Sequence, residues 1–164
     1  MRRAYAPALL CLLLLASVSC SAYFGPQKRA AAYYSHMAGL SPAVPYSSFL
    51  SPAYRKQLGA EGVKALNEAH GKAKDATTRY PRAKAADVGV EEKAGFAWTC
   101  VNPLLGDAYA NLQPVRWVHI GMGWYLYLGS DAEQNAYGTF PGDMGKPVAP
   151  RIEPKPPKRS AEKD

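Results

Sequence analysis

Cysteine, histidine and long apolar runs are all scarce here. The chain has three cysteines, and Cys11 and Cys20 both fall in the N-terminal apolar stretch, leaving Cys100 alone in the body. Its three histidines, His36, His70 and His119, are far apart, and neither Cys-x-x-Cys nor His-x-x-x-His occurs. A metal centre built from a local ligand pair is therefore not expected, nor is any other cofactor. There is no Gly-x-Ser-x-Gly elbow for a nucleophile. No glycine-rich loop could cradle phosphate, because "GMG" at 121–123 is too short and a hairpin turn explains it. The uncharged stretch rich in Leu and Ala from Ala6 to Ala16 falls short of the roughly 18 apolar residues that span a bilayer.

What is present begins with charge. The formal charge is +7, of which the last nineteen residues, 146–164, account for +3 and Arg2 with Arg3 for +2. Residues 20–145 thus carry only +2, too little for a nucleic-acid-binding face, and no nucleic acid partner is expected. Two arginines followed by an apolar segment and then by small residues is the order of a secretory signal. Export is the expectation.

Within that signal "SVSC", Ser17–Cys20, resembles the lipobox of bacterial lipoproteins, although Ser17 stands where leucine is usual. The resemblance implies removal of residues 1–19, acylation of Cys20 as the mature first residue, and membrane attachment through that lipid. Ser21 in place of a retention aspartate implies a cell-envelope location at the outer membrane, facing the periplasm. Cleavage near Ala22 by the ordinary signal route is the alternative. With Cys11 removed and Cys20 acylated, Cys100 has no partner in the chain, so the fold must rest on its core.

The expected organisation is a signal at 1–19, an anchor and spacer at 20–27, a domain at 28–145, and a basic, proline-rich disordered tail at 146–164. The tail holds five prolines and six basic residues and could touch anionic lipid, peptidoglycan or a partner. Pro26 opens a helical pattern in which Ala30, Tyr33, Tyr34 and Met37 share a face, and Gly39 stands where it stops. Ser51 reads as an N-cap with Pro52 at the first helical position and Gly59 as terminator. A further helix is expected over 60–70, with Val63 and Leu66 on its buried side. Near Tyr80 the period changes to two. Val88 and Val90 alternate with polar residues, "EEKAG" turns into "FAWTCV", and "GMG" joins "VRWVHI" to "WYLYLG". Helices followed by strands predict an α+β fold, with N-terminal helices packed on a curved antiparallel sheet of about four strands.

Both faces of the last hairpin are apolar. One parity groups Val118 and Ile120 with Trp124, Leu126 and Leu128; the other groups Val115 and Trp117 with Tyr125 and Tyr127. Helices can cover one face, and the other is expected to meet a cavity, the 102–114 loop or a second subunit. The order of "YYSHMAG", "FLSPAYRKQLG", "AGFAWTCV" and "VRWVHIGMGWYLYLG" across residues 28–129 resembles the nuclear transport factor 2-like superfamily, in particular its small secreted lipoproteins. The resemblance implies a cone-shaped pocket and dimers through the sheet. Enzymatic members resemble ketosteroid isomerase and scytalone dehydratase, and their pocket Asp/His or Asp/Tyr sets do not map onto this chain.

His119 is the best single candidate for pocket chemistry, with Asp87 and Asp107 as the carboxylates that could orient it. Cys100 reads as a buried thiol. Trp98, Trp117, His119, Trp124, Tyr125 and Tyr127 form the candidate binding set, read either as core or as the lining for a ligand or partner. The expected role is a membrane-anchored accessory lipoprotein that is not an enzyme and that binds itself or another protein through the sheet. Carriage or sensing of a small hydrophobic ligand comes second, and an isomerase- or dehydratase-like activity third.

Overall fold

A computed structural model describes residues 25–40, 44–71 and 81–151. The expected signal segment, Cys20 and tail residues 152–164 lie outside them. The fold is α+β, as expected from the sequence, with helices α1 (Pro26–Met37) and α2 (Pro52–His70) preceding an antiparallel sheet of strands β1 (Val88–Lys93), β2 (Phe96–Val101), β3 (Val115–Ile120) and β4 (Gly123–Leu126) in simple sequential order. Short helices α3 (Asp107–Ala110) and α4 (Asp131–Tyr137) complete it.

Helix α1 starts with Pro at its first turn, runs through Ala30–Ala31–Ala32, and ends in a Schellman arrangement. Gly39 takes φ 82° while its N–H reaches the His36 carbonyl and the Leu40 N–H reaches that of Ser35. The face read from the sequence is the buried one, with Ala30, Tyr33 and Tyr34 in the core. Ser51 caps α2 by accepting the Tyr54 N–H. Gly59, at φ 69° and ψ 177°, breaks helical geometry for one residue before the helix resumes, so terminator and restart both stand where they were expected. No residue of α2 is buried, and only Tyr54, Leu58 and Leu66 pack on the core. Val63 is only half-buried, so α2 is a peripheral element.

The β3–β4 hairpin departs from the parity read in the sequence. Its loop has two residues, Gly121 and Met122, with Gly121 at φ 61°, so Ile120 pairs with Gly123 and Trp117 with Leu126. Paired positions therefore have opposite parity, and every side chain of β4 lies on the other face from the one predicted for a three-residue "GMG" turn. Trp117, His119, Trp124 and Leu126 share the face toward α1. Val118, Ile120, Tyr125 and Tyr127 share the second face.

The first face is sealed by the rings of Tyr33, Tyr34, Phe49 and Trp117. Tyr33 meets Trp117 edge-on at 5.7 Å and Phe49 at 5.5 Å. The Tyr34 hydroxyl donates to the Thr99 carbonyl at 2.8 Å, and Trp117 Nε1 donates to Thr99 Oγ1 at 2.8 Å, so the polar atoms inside this layer are bonded. Burial pushes the Tyr34 phenol up to about 12, with the Thr99 hydrogen bond opposing, and it drives Tyr33 up as well.

The second face is covered by the chain itself, which none of the three expected coverings supplied. Phe96, Val118, Tyr127 and Met144 form a buried cluster with Phe140 and Tyr137 against it. Helix α4 enters this cover through a capping box in which Ser130 Oγ accepts the Glu133 N–H and the Glu133 carboxylate accepts the Ser130 N–H. Glu133, fully buried, also accepts the Ser51 hydroxyl at 2.6 Å and the Leu128 N–H, tying the start of α2 to the start of α4. The expectation of a free tail from residue 146 also needs correction at its start. Asn102 Nδ2 donates to the Pro150 carbonyl, the Cys100 thiol donates to that of Pro147, and Gly89 leaves room for the Val148 carbonyl. Prolines cannot donate to a strand ladder, but their carbonyls accept side-chain donors, and this segment is held that way. Cys100 is buried as predicted, and burial pushes its thiol pKa up.

Candidate functional site

The interior between α1 and the sheet is filled, so the open space lies at its rim. Two clefts flank the exposed edge of α1 and share Lys28 and Ala32. The larger, about 660 Å³, lies between the first turns of α1 and the β3–β4 hairpin, with Arg29, Met122, Trp124 and Tyr125 among its lining. The smaller, about 400 Å³, is bounded by Ser35, His36, Phe49, Arg82 and Lys84. Neither lining contains an acidic side chain.

Arg29 is the side chain that gives the larger cleft its character. Its Nη2 donates to the Ser48 carbonyl at 2.5 Å, and its guanidinium lies 4.6 Å from the Phe49 ring centroid. It is half-buried, and burial pulls its pKa below the usual arginine value while the neighbouring Tyr125 opposes. Among the described residues no carboxylate pairs with it, the one ion pair being Lys93 with Asp143 on the exposed rim of the second face. A desolvated cation without a counter-charge is costly in a folded protein, and an anionic ligand offsets that cost. Trp124 and Tyr125 supply apolar surface beside it, and Met122 stands 83% exposed at the hairpin tip.

The structure separates the candidate set. Trp124 and Tyr125 come together at the cleft. Trp117 is buried in the interior. Trp98 and Tyr127 belong to the second face, where Arg116 stacks over Trp98 at 5.5 Å and the Tyr127 hydroxyl donates to the Gly138 carbonyl. His119 is exposed, with its ring 4.9 Å from that of Trp124 and no carboxylate bonded to it among the described residues. Asp87 bonds the Lys84 N–H instead. His36 and His70, at the C-terminal ends of α1 and α2, both meet the Tyr46 ring, with His70 stacked on it at 4.1 Å. Among the described residues no group of three His, Cys, Asp or Glu side chains could hold a metal ion.

Lys28, Arg29 and Met122 were missed by sequence reasoning. A signal for the first two was there: the first turn of α1 holds two cations and no acid, which opposes the helix dipole and gives no local stability. No family model, curated protein or solved structure matches this chain.

Proposed function

We propose that this chain is an accessory lipoprotein of the cell envelope, anchored through Cys20, that catalyses no reaction and holds a small amphiphile with an apolar body and an anionic group in the cleft between α1 and the last hairpin. The observation that carries this reading is Arg29, half-buried with no carboxylate partner among the described residues, in a cleft bordered by Trp124 and Tyr125. The cleft volume of about 660 Å³ suits a ligand of that size. The filled interior moves the ligand from the centre of the cone to its rim. A sheet-mediated homodimer or protein partner has less support, because residues 137–150 already occupy the second face. Such a partner would have to use the exposed Met122 and Leu128 instead. An isomerase-like role for His119 has no orienting carboxylate among the described residues to support it.

The test is a titration of the purified chain with dodecanoate, dodecyl phosphate and dodecyltrimethylammonium, followed by tryptophan fluorescence. The two anions are expected to bind and the cation not, with Arg29→Ala weakening the anions about 10-fold or more. Equal binding of all three, or no effect of Arg29→Ala, would overturn the reading.

A further inference from the structure

The two clefts share Lys28 and Ala32 and open on one flank of the molecule, and the charged side chains among their described lining residues are all basic. Lys28 and Arg29 border one cleft, Lys28, Arg82 and Lys84 the other, and among the described residues no acidic side chain lines either. Lys28, Arg82 and Lys84 are exposed. Apolar surface is interleaved with these cations: Met122 at the hairpin tip is 83% exposed and Val44 39% exposed, with Trp124 and Tyr125 behind Met122. Basic side chains set among exposed apolar and amphipathic aromatic ones are the composition that favours a lipid headgroup layer.

The chain outside the described residues supplies the second argument. Gly25, where the described structure begins, lines the larger cleft. Cys20 and Gly25 are five peptide steps apart, with four residues between them. Fully extended these steps reach about 17 Å, so an acylated Cys20 would hold this flank, rather than the sheet's second face, next to the bilayer. Such tethering raises the local concentration of lipid seen by the cationic flank, and weak contacts then suffice to orient the domain.

We infer that the flank carrying Lys28, Arg29, Arg82, Lys84 and Met122 docks on the surface of a bilayer containing anionic lipid, with both clefts opening toward the headgroups. The inference rests on the Cys20 anchor for its tether. It goes beyond the cleft reading by naming the surface against which the cleft opens, and so the source from which an amphiphile would enter.

The experiment uses the processed full chain, purified from its host and mixed with vesicles of phosphatidylethanolamine and phosphatidylglycerol or of phosphatidylcholine alone. An environment-sensitive fluorophore is attached at Met122→Cys or, as a control on α4, at Asn135→Cys, both exposed positions. Cys100 is buried and stays unlabelled. Mass spectrometry of the same preparation reads the acyl mass on Cys20. The expected result is a blue-shifted, brighter label at position 122 on anionic vesicles only, no change at 135, and at least a 10-fold loss of that response in Lys28→Glu/Arg82→Glu/Lys84→Glu at moderate salt. A label at 122 that stays in water while Cys20 is acylated and the protein rides on the vesicles overturns the docking face and leaves the anchor standing. Burial of the label on anionic vesicles with no acyl mass on Cys20 sinks the anchor and leaves the face. A response abolished by Lys155→Glu/Lys158→Glu/Arg159→Glu instead would assign the contact to the tail and overturn the inference. Burial at 122 without lipid, through a second copy or another protein, would overturn it too.

Discussion

Tyrosines carry the most direct residue-scale consequence of this fold. Burial raises Tyr33, Tyr34 and Tyr46, with Tyr34 pushed to about 12 from an ordinary value near 10. A folded-state pKa above the unfolded one means the folded protein holds its phenolic proton longer. The associated stability is fully present below pH about 10 and is lost as pH rises through the folded value. Thermal melts should therefore hold level into mild alkali and fall between about pH 10 and 12, with Tyr34 contributing on the order of 2 kcal/mol of that loss. Tyr34→Phe should flatten the alkaline slope, and an unchanged slope would show that Tyr34 is not the controlling group. The same scale shows why the site was half-hidden in the sequence. Trp124 and Tyr125 were readable as candidates, whereas Arg29 was not, because what sets it apart is desolvation by Phe49 and the Ser48 carbonyl.

At the scale of elements, punctuation residues were the most legible. Pro26, Gly39, Ser51, Pro52 and Gly59 each act where the pattern placed them, because caps and breaks are decided within a turn of chain. Helix α4 was equally legible and was passed over: Ser130 and Glu133 at capping-box spacing, followed by Gly138, mark both its ends. Hairpin parity was less accessible, since one residue more or less in a turn inverts a strand. The close approach at Gly89 was not accessible at all. A Cβ there would lie 1.9 Å from the Val148 carbonyl oxygen and 2.7 Å from its carbon, so Gly89→Ala must lift the 147–150 segment off the sheet. We expect a loss of about 1–3 kcal/mol, faster tryptic cleavage after Arg151, and a Cys100 thiol that reacts with a disulfide reagent it otherwise resists. A protected thiol in that variant would contradict the packing described.

Considered whole, the molecule is a sheet with a helix on one side and its own C-terminal segment on the other. The second cover is short and rests on few large side chains, chiefly Phe140 and Met144 against Phe96, Val118 and Tyr127. Ending the chain at Gly138 should cost about 3–5 kcal/mol from the burial of those two side chains, lower the melting temperature by roughly 10–20 °C, and expose an apolar face that self-associates. Differential scanning calorimetry and light scattering would read both effects, and an unchanged melting temperature would show the cover to be dispensable. The division between sequence and structure follows from this layout. Composition, local caps and the alternation of apolar residues determined the α+β class, the order of elements and the demand that both sheet faces be covered, because those depend on neighbours within a few residues. Which segment covers the second face, and where Arg29 loses its water, was decided by tertiary structure alone: both depend on contacts between segments far apart in the chain, and no local pattern encodes that distance.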